Sequence, residues 1–403
     1  LIGGAQNACR PFNERVTGGQ NMLRQATLAL VVLPLISLAA HAELAVSAQD
    51  GKQVLVDGVP TVPDSPVADY VAIFDLGSNP PKLMAEVPAP TSVVGPPQSV
   101  AVAPDESFAL VTSANAIDPA DPKKVTLNDK LTVIDLQSSP PQATATLTAG
   151  KGAAGVSINR AGKLALVANR SEGTVSVFTI DGKTLTPAGK IELGDDKSGP
   201  SHVVFSPDGK TALVSRDGDS KISVLSVDGG KVTYAKRDLS AGVRPYSIEM
   251  SASGEVAVVG NAGTGSGDAD TVSIIDLKVS PARVVDTLTV GQTPEGVRIS
   301  PDGKYVAVIV ANGSNKPKSS PFFNDNGLVK IFAINGTKLT AVTEAKTGHW
   351  CQGAVWNKTA TTLMVQCMVE HELQVFGFNG KTLTPRNPIK LKAGPAGIRT
   401  AEW

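Results

Sequence analysis

The chain has 403 residues, of which 41% are hydrophobic and 18% charged, with acidic and basic side chains in equal number. That is enough apolar content for a packed core, and too little positive charge for an electrostatic nucleic-acid footprint. Aromatic residues make up 4%, which leaves no stacking platform for nucleic acid or long glycans.

In chain order, residues 1–21 are polar and patternless and read as an over-extended leader. Met22-Leu23-Arg24 then opens a segment with one positive charge, Leu28 to Leu38 is apolar, and Ala40-His41-Ala42 ends it in small-x-small form. This is the pattern of a secretory signal over residues 22–42, with cleavage expected before Glu43 and a periplasmic or secreted product. The apolar run is shorter than the ~20 residues a bilayer span requires, so no membrane span is expected after cleavage. Removing residues 1–42, with three arginines and one glutamate, leaves a net charge of −2.

Residues 43–403 are expected to form one domain built of repeats. A tight turn recurs as Ala103-Pro104-Asp105-Glu106, Asn159-Arg160-Ala161-Gly162, Ser206-Pro207-Asp208-Gly209, Ser251-Ala252-Ser253-Gly254 and Ser300-Pro301-Asp302-Gly303, and degenerates to Asn357-Lys358-Thr359-Ala360. Proline presets φ at the first central position, and glycine supplies the φ > 0 residue that closes a bulged hairpin. A second marker is an apolar strand ending in a short triplet. Its copies are Phe74-Asp75-Leu76, Ile134-Asp135-Leu136, Phe178-Thr179-Ile180, Leu225-Ser226-Val227, Ile275-Asp276-Leu277, Phe332-Ala333-Ile334 and Phe376-Gly377-Phe378. Seven copies at steps of 44 to 60 residues, each with about four short strands, match propeller blades and not helical solenoids.

Each blade reads as four strands. Strand a precedes the turn, b follows it, c carries the triplet and d is the next β-rich run. The N-terminus offers b (Gln53–Val56), c (Tyr70–Leu76) and d, while Ala396–Trp403 reads as a strand a with nothing after it. The tail is therefore expected to complete the first blade, leaving no open edge.

Val111-Thr112-Ser113-Ala114-Asn115, Val167-Ala168-Asn169 and Ile309-Val310-Ala311-Asn312 each sit between such a turn and a strand c. They resemble the YVTN-type repeats of the lactonase-like seven-bladed propellers. The resemblance implies an all-β, seven-bladed propeller with four-stranded antiparallel blades. It is a poor guide to function, because this fold hosts binding proteins, lactone hydrolases and redox-enzyme subunits alike.

Alternation of strand direction puts the short a–b and c–d turns on one rim and the longer d–a and b–c connections on the other. The long connections are Ser113–Lys130, Asn261–Asp270 and Ala311–Gly327. Binding residues gather on long loops over a rigid scaffold. The starts of strands a bring His202, Arg244, Tyr246, Glu295 and Gln352 to that rim, and the ends of strands b bring Arg170, Arg216, Asp217, Asn261 and Asn312. Polar groups at such positions also serve to satisfy backbone and channel water, so each has a structural reading beside the ligand-binding one.

Cys9 lies in the leader. Cys351 and Cys367 should face each other across the hairpin centred near Thr359, and in an exported protein that pairing favours a disulfide. Together with His349, two cysteines fall short of a closed metal site, and no metal is expected. His349 and Trp350 before strand a, and Glu370-His371-Glu372 in the b–c loop, flank that disulfide at the long-loop rim.

Gly199-Pro200-Ser201-His202-Val203 resembles the histidine-bearing inner strand of the lactonase-like propellers. The resemblance implies His202 as general base, with Arg244 or Arg216 as the cation for a developing oxyanion. Val259-Gly260-Asn261 departs from the pattern by lacking the relatives' glutamate, and Glu295 is the carboxylate that could replace it. No Gly-x-Ser-x-Gly elbow, His-Glu-x-x-His pair, phosphate loop or haem motif is present. Asp268, Asp270 and Asp325 match no calcium loop, and no cofactor is expected. The expected role is an exported scaffold that binds a small molecule or a protein partner at the long-loop face. A lactone hydrolase with His202, Arg244 and Glu295 is the alternative, and a subunit of a periplasmic redox complex is the third reading.

Overall fold

The computed structural model describes residues 43–402. The expected signal segment, Cys9 and Trp403 lie outside the described residues. Seven four-stranded antiparallel sheets are present, and every sheet runs a-b-c-d outward from the inner edge. The inner strands are Gly394–Thr400, Val100–Val102, Ala153–Ile158, Pro200–Phe205, Pro245–Met250, Pro294–Ile299 and Cys351–Trp356, for blades one to seven. Among the described residues no helix is long and apolar enough to cross a membrane.

The recurring turn does what its residues dictate. In blade four the Gly209 N–H donates to the Ser206 carbonyl at 2.8 Å, and the Ser206 N–H donates to Thr211 at 2.9 Å. Asp208 Oδ1 accepts from Ser206 Oγ at 2.6 Å and from the Lys210 N–H at 3.0 Å. The fourth turn residue is left-handed every time, whether glycine (Gly209, φ 68°) or not (Glu106, φ 56°; Ala360, φ 54°).

Burial follows radial position. The two inner strands of a blade, a and b, are sandwiched between neighbouring blades on both faces, so Val306 to Val310 of strand b in blade six is wholly buried and reads as a continuous apolar run. The outermost strand Gln142–Thr148 is almost wholly exposed. The core is a series of inter-blade seams; one joins Phe108, Leu131 and Val133 of blade two to Val156 and Phe178 of blade three.

The tail does complete blade one, but against a different strand from the one expected. Strand b is Leu44–Asp50, and Ile398 lies opposite Ser47. Val54–Val56 instead pairs with Val59–Thr61 as a separate hairpin. The reason is local. Asp57 (φ 43°) and Gly58 (φ 78°) form a two-residue turn with both central residues left-handed, the strongest short-range hairpin signal there is. That turn commits Val54–Val56 to its own partner and leaves Leu44–Asp50, buried throughout, for the ring. The Ser113–Lys130 connection is likewise no loop. Strands Phe108–Asp118 and Asp121–Asp135 stay paired to their tip, where Asp118 faces Asp121.

Cys351 and Cys367 are opposite one another in the blade-seven ladder and are bonded. With a sequence separation of 16, replacing both by serine is expected to cost about 3 kcal/mol in equilibrium denaturation. Ile398 is 1% exposed in the seam with Phe74 and Val355. Ile398→Ala should cost about 2–4 kcal/mol, whereas Leu55→Ala, in the side hairpin, should cost under about 1 kcal/mol. Equal losses in urea titrations would contradict the observed closure.

Candidate functional site

Six of the inner strands align on the turn that follows each, and the tail strand aligns with them by its pattern. Five positions before the turn they carry Gln98, Ala154, Ser201, Tyr246, Glu295, Gln352 and Ala396; one position later come Ser99, Gly155, His202, Ser247, Gly296, Gly353 and Gly397. The second set is small because adjacent inner strands nearly touch. The Val156 N–H donates to the Gln98 carbonyl at 3.0 Å, and the Ile398 N–H donates to Pro97 at 3.1 Å, each from one blade to another. A Cβ on Gly296 would lie 2.0 Å from the Gln352 carbonyl oxygen. His202 is the one large side chain at this level.

On the long-loop side of that constriction, four consecutive blades deliver charged and aromatic groups to one place. Asp217, from the end of strand b in blade four, is the centre. Arg170 of blade three donates to it at 2.5 Å and to Ser201 Oγ at 2.9 Å, and Ser201 Oγ donates to the second Asp217 oxygen at 2.8 Å. Arg244 of blade five reaches the same carboxylate at 3.2 Å and the Gly263 carbonyl at 3.2 Å. Its backbone is left-handed (φ 55°), and its N–H donates to Ser220 Oγ. The Arg170 guanidinium stands 5.3 Å from the centre of the Tyr246 ring. Blade six adds Glu295, which accepts from Gln352 Nε2 of blade seven at 2.6 Å. Burial pushes the Glu295 carboxyl up to about 7, against the hydrogen bonds from Gln352 and Trp350 and the charges of Arg244 and Arg170. Burial also raises the Tyr246 phenol.

His202 does not join this group. It is fully buried, and none of the mouth side chains bonds its ring, which the Ile248 backbone approaches. Burial, then the positive charges of Arg399 and Arg298, hold it well below the usual histidine range. Those arginines belong to a deeper network that the sequence reading passed over. Arg298 binds Glu249 at 2.8 Å and Thr400 Oγ1 at 3.0 Å; Arg399 binds Glu249 at 2.6 Å and Glu402 at 3.0 Å. Arg399 is in blade one and Glu249 in blade five, so this bond crosses the channel. Gln98 of blade two likewise donates to Ser247 of blade five. The signal was available: Ile248-Glu249-Met250, Val297-Arg298-Ile299 and Ile398-Arg399-Thr400 each place a charge at the same point of an otherwise apolar inner strand.

The remaining expected site residues are dispersed. Arg216 turns into its own blade and binds Ser198, Ser223 and Asp219, leaving Arg244 and Arg170 as the cations at the mouth. Asn261 clamps strand c through Thr271 and Ser273, both at 3.0 Å, as Asn169 does through Thr174 and Ser176. Asn312 donates to the Asn326 carbonyl within its own loop. His349 lies at a separate point of the rim, between Glu370 and Asp325.

No family model matches the chain, and no curated protein matches it in sequence. Solved structures match it in shape. A periplasmic gluconolactonase of Pseudomonas aeruginosa superposes with a TM-score of 0.64 at 18% identity, over 89% of this chain and 99% of that one. A candidate 6-phosphogluconolactonase of Bacteroides uniformis gives 0.66 at 19% identity, over 89% and 100%. This chain has the seven-bladed propeller fold, and these lactonase-like structures superpose on it. A protein of unknown function from Desulfotomaculum acetoxidans superposes equally well, with a TM-score of 0.66 at 16% identity over 90% and 99%. At these identities the likeness speaks for the fold alone.

The raised Glu295 value carries a stability signature. The folded carboxyl binds its proton more tightly than the unfolded one, so stability falls as pH rises from about 4.5 to about 7. The loss should be on the order of 2–3 kcal/mol. Glu295→Gln keeps an acceptor for Gln352 and should flatten that part of the pH profile of urea unfolding.

Proposed function

We propose that the protein is an exported propeller that binds a small, polar, anion-bearing molecule at the long-loop mouth of its channel. The observation that carries this reading is the convergence of Arg170 and Arg244, from blades on either side, on the buried Asp217 carboxylate. Asp217 neutralises one of the two cations. The Arg244 side chain stays 40% exposed while that of Asp217 is 3% exposed, so Arg244 remains open to solvent and has N–H groups left to donate to a carboxylate or phosphate. Tyr246, Glu295 and Gln352 lie beside it and suit hydroxyl groups. The names of the gluconolactonase-like neighbours make sugar acids and their lactones the first compounds to try. The disulfide and the periplasmic neighbour support export.

A second reading, lactone hydrolysis, is favoured by Glu295. A carboxyl with a pKa of about 7 beside two guanidinium groups is suited to general-base work near neutral pH. In that chemistry Glu295 takes a proton from water as the oxygen attacks the lactone carbonyl. Arg244 faces the oxyanion, the ring C–O bond breaks, and the proton passes to the leaving alkoxide. The base is then Glu295, and His202 is a channel residue.

Binding is tested by calorimetric titration with a panel of sugar acids, sugar phosphates and lactones. Arg244→Gln should weaken a true ligand about 10- to 100-fold, while Arg216→Gln should change affinity little in protein that remains folded. Equal affinities for Arg244→Gln and wild type would reject the site. Under the hydrolytic reading, Glu295→Gln abolishes turnover and His202→Ala does not.

A further inference from the structure

His349 stands between two carboxylates. Its Nδ1 is 2.6 Å from Glu370 Oε1, on the b–c loop of blade seven, and its Nε2 is 3.3 Å from Asp325 Oδ1, near the end of the long loop between strands b and c of blade six. A neutral imidazole carries one N–H and one lone pair. With both nitrogens facing carboxylate oxygens, the neutral ring would set its lone pair against a negative oxygen; the imidazolium donates to both. Glu370 also accepts from the His349 backbone N–H, at 2.9 and 3.0 Å, so the ring and its anchor are held together on blade seven.

Asp325 belongs to the segment on which the other long loops lean. The Lys318 N–H donates to Asp57 Oδ1 of the side hairpin at 2.9 Å. Gly58 abuts Pro317 so closely that a Cβ would lie 2.4 Å from its ring. Lys316 Nζ donates to the Gly265 carbonyl, and the Phe322 ring lies against Gly267, where a Cβ would meet it at 2.3 Å. The glycine loop of blade five, through Gly263, is the partner of Arg244. Contacts therefore run from His349 through Asp325 and this segment to the mouth of the channel.

We propose that His349 is a pH-operated clasp. As an imidazolium it ties the 311–327 loop to blade seven through Asp325, and on losing a proton it lets that loop go. The other charged groups around its cavity, of about 290 Å³, are Asp57 of the hairpin and Lys316 and Lys318 of the loop. His371, whose own value is lowered by burial, lies beside Glu370 on the far side. Burial opposes the charge on His349, and the bonds to Glu370 and Asp325 outweigh it, so its pKa stands above the usual 6.5. The clasp is thus closed below about pH 6.5 and opens as pH rises through the folded value. Control of ligand access at Arg244 rests on the binding reading above; the clasp itself does not.

Hydrogen exchange of the 311–327 amides, corrected for intrinsic rates, tests it at pH 5.5 and pH 8.5. In the wild type, protection of this segment should fall on the order of two- to fivefold at the higher pH, a change read against Asp325→Asn, which shares the Glu295 titration that lowers protection of the blade cores. Asp325→Asn and His349→Gln should show the lower protection at both pH values. Equal wild-type protection at the two pH values, or an Asp325→Asn protein that keeps the wild-type pH response, overturns the proposal. Asp325 is 85% exposed, so its variant decides the matter even if His349→Gln fails to fold. A clasp that responds to pH in a protein that binds none of the panel compounds would leave the clasp standing and remove the ligand reading.

Discussion

The ladder between Leu44–Asp50 and Gly394–Thr400 is the bond on which the ring depends. A propeller blade buries its apolar faces against its neighbours, so a blade missing its inner strand would expose one seam and leave a bare sheet edge in the channel. Here the tail supplies that strand, and the chain then continues past it. Ala401 forms a bridge to Val102 of the second blade, and the Ile398 N–H donates to Pro97 of the same blade. Closure of blade one is thereby also its fastening to blade two.

The same strand carries Arg399 to the axis. Its bond to Glu249 on the far side, together with Arg298, fills the deep end of the channel with ion pairs that are almost wholly buried. Such a network stabilises only if each member is satisfied, and here both Glu249 oxygens and both terminal nitrogens of each arginine have partners. These struts divide the axis into two regions. His202 belongs with the deep one, and the arginine pair around Asp217 belongs with the solvent-facing mouth. The histidine of the strand motif is thereby enclosed, while the Glu295 carboxyl, beside the arginine pair, is raised by its own burial.

Loops of several blades meet at the rim on the mouth side. The segment from Asn312 to Asn326 contacts the glycine loop of blade five, the hairpin of blade one and His349 of blade seven. Ion pairs between exposed loops are individually weak and sensitive to salt and pH. The loops that frame the mouth are therefore easily altered by the medium, while the inter-blade seams beneath them are largely apolar.

Local chemistry made much of this readable without coordinates. The Pro-Asp-Gly turns set their own φ values, the apolar inner strands announced burial on both faces, and the cysteines sat at opposing positions of a short hairpin. The repeat count and the role of the tail followed from them. Asp57-Gly58 was equally local, and its turn commits Val54–Val56 to a hairpin of its own rather than to the first blade. What no stretch of sequence contains is the distance between residues of different blades. Arg170, Asp217, Arg244 and Glu295 are neighbours only because four sheets twist about one axis. Arg216, next to Asp217 in the chain, points elsewhere because successive strand residues face opposite sides. Position along the strand was therefore set by sequence, and partnership across the axis by the tertiary fold, since the latter depends on how closely glycine and serine let the inner strands approach.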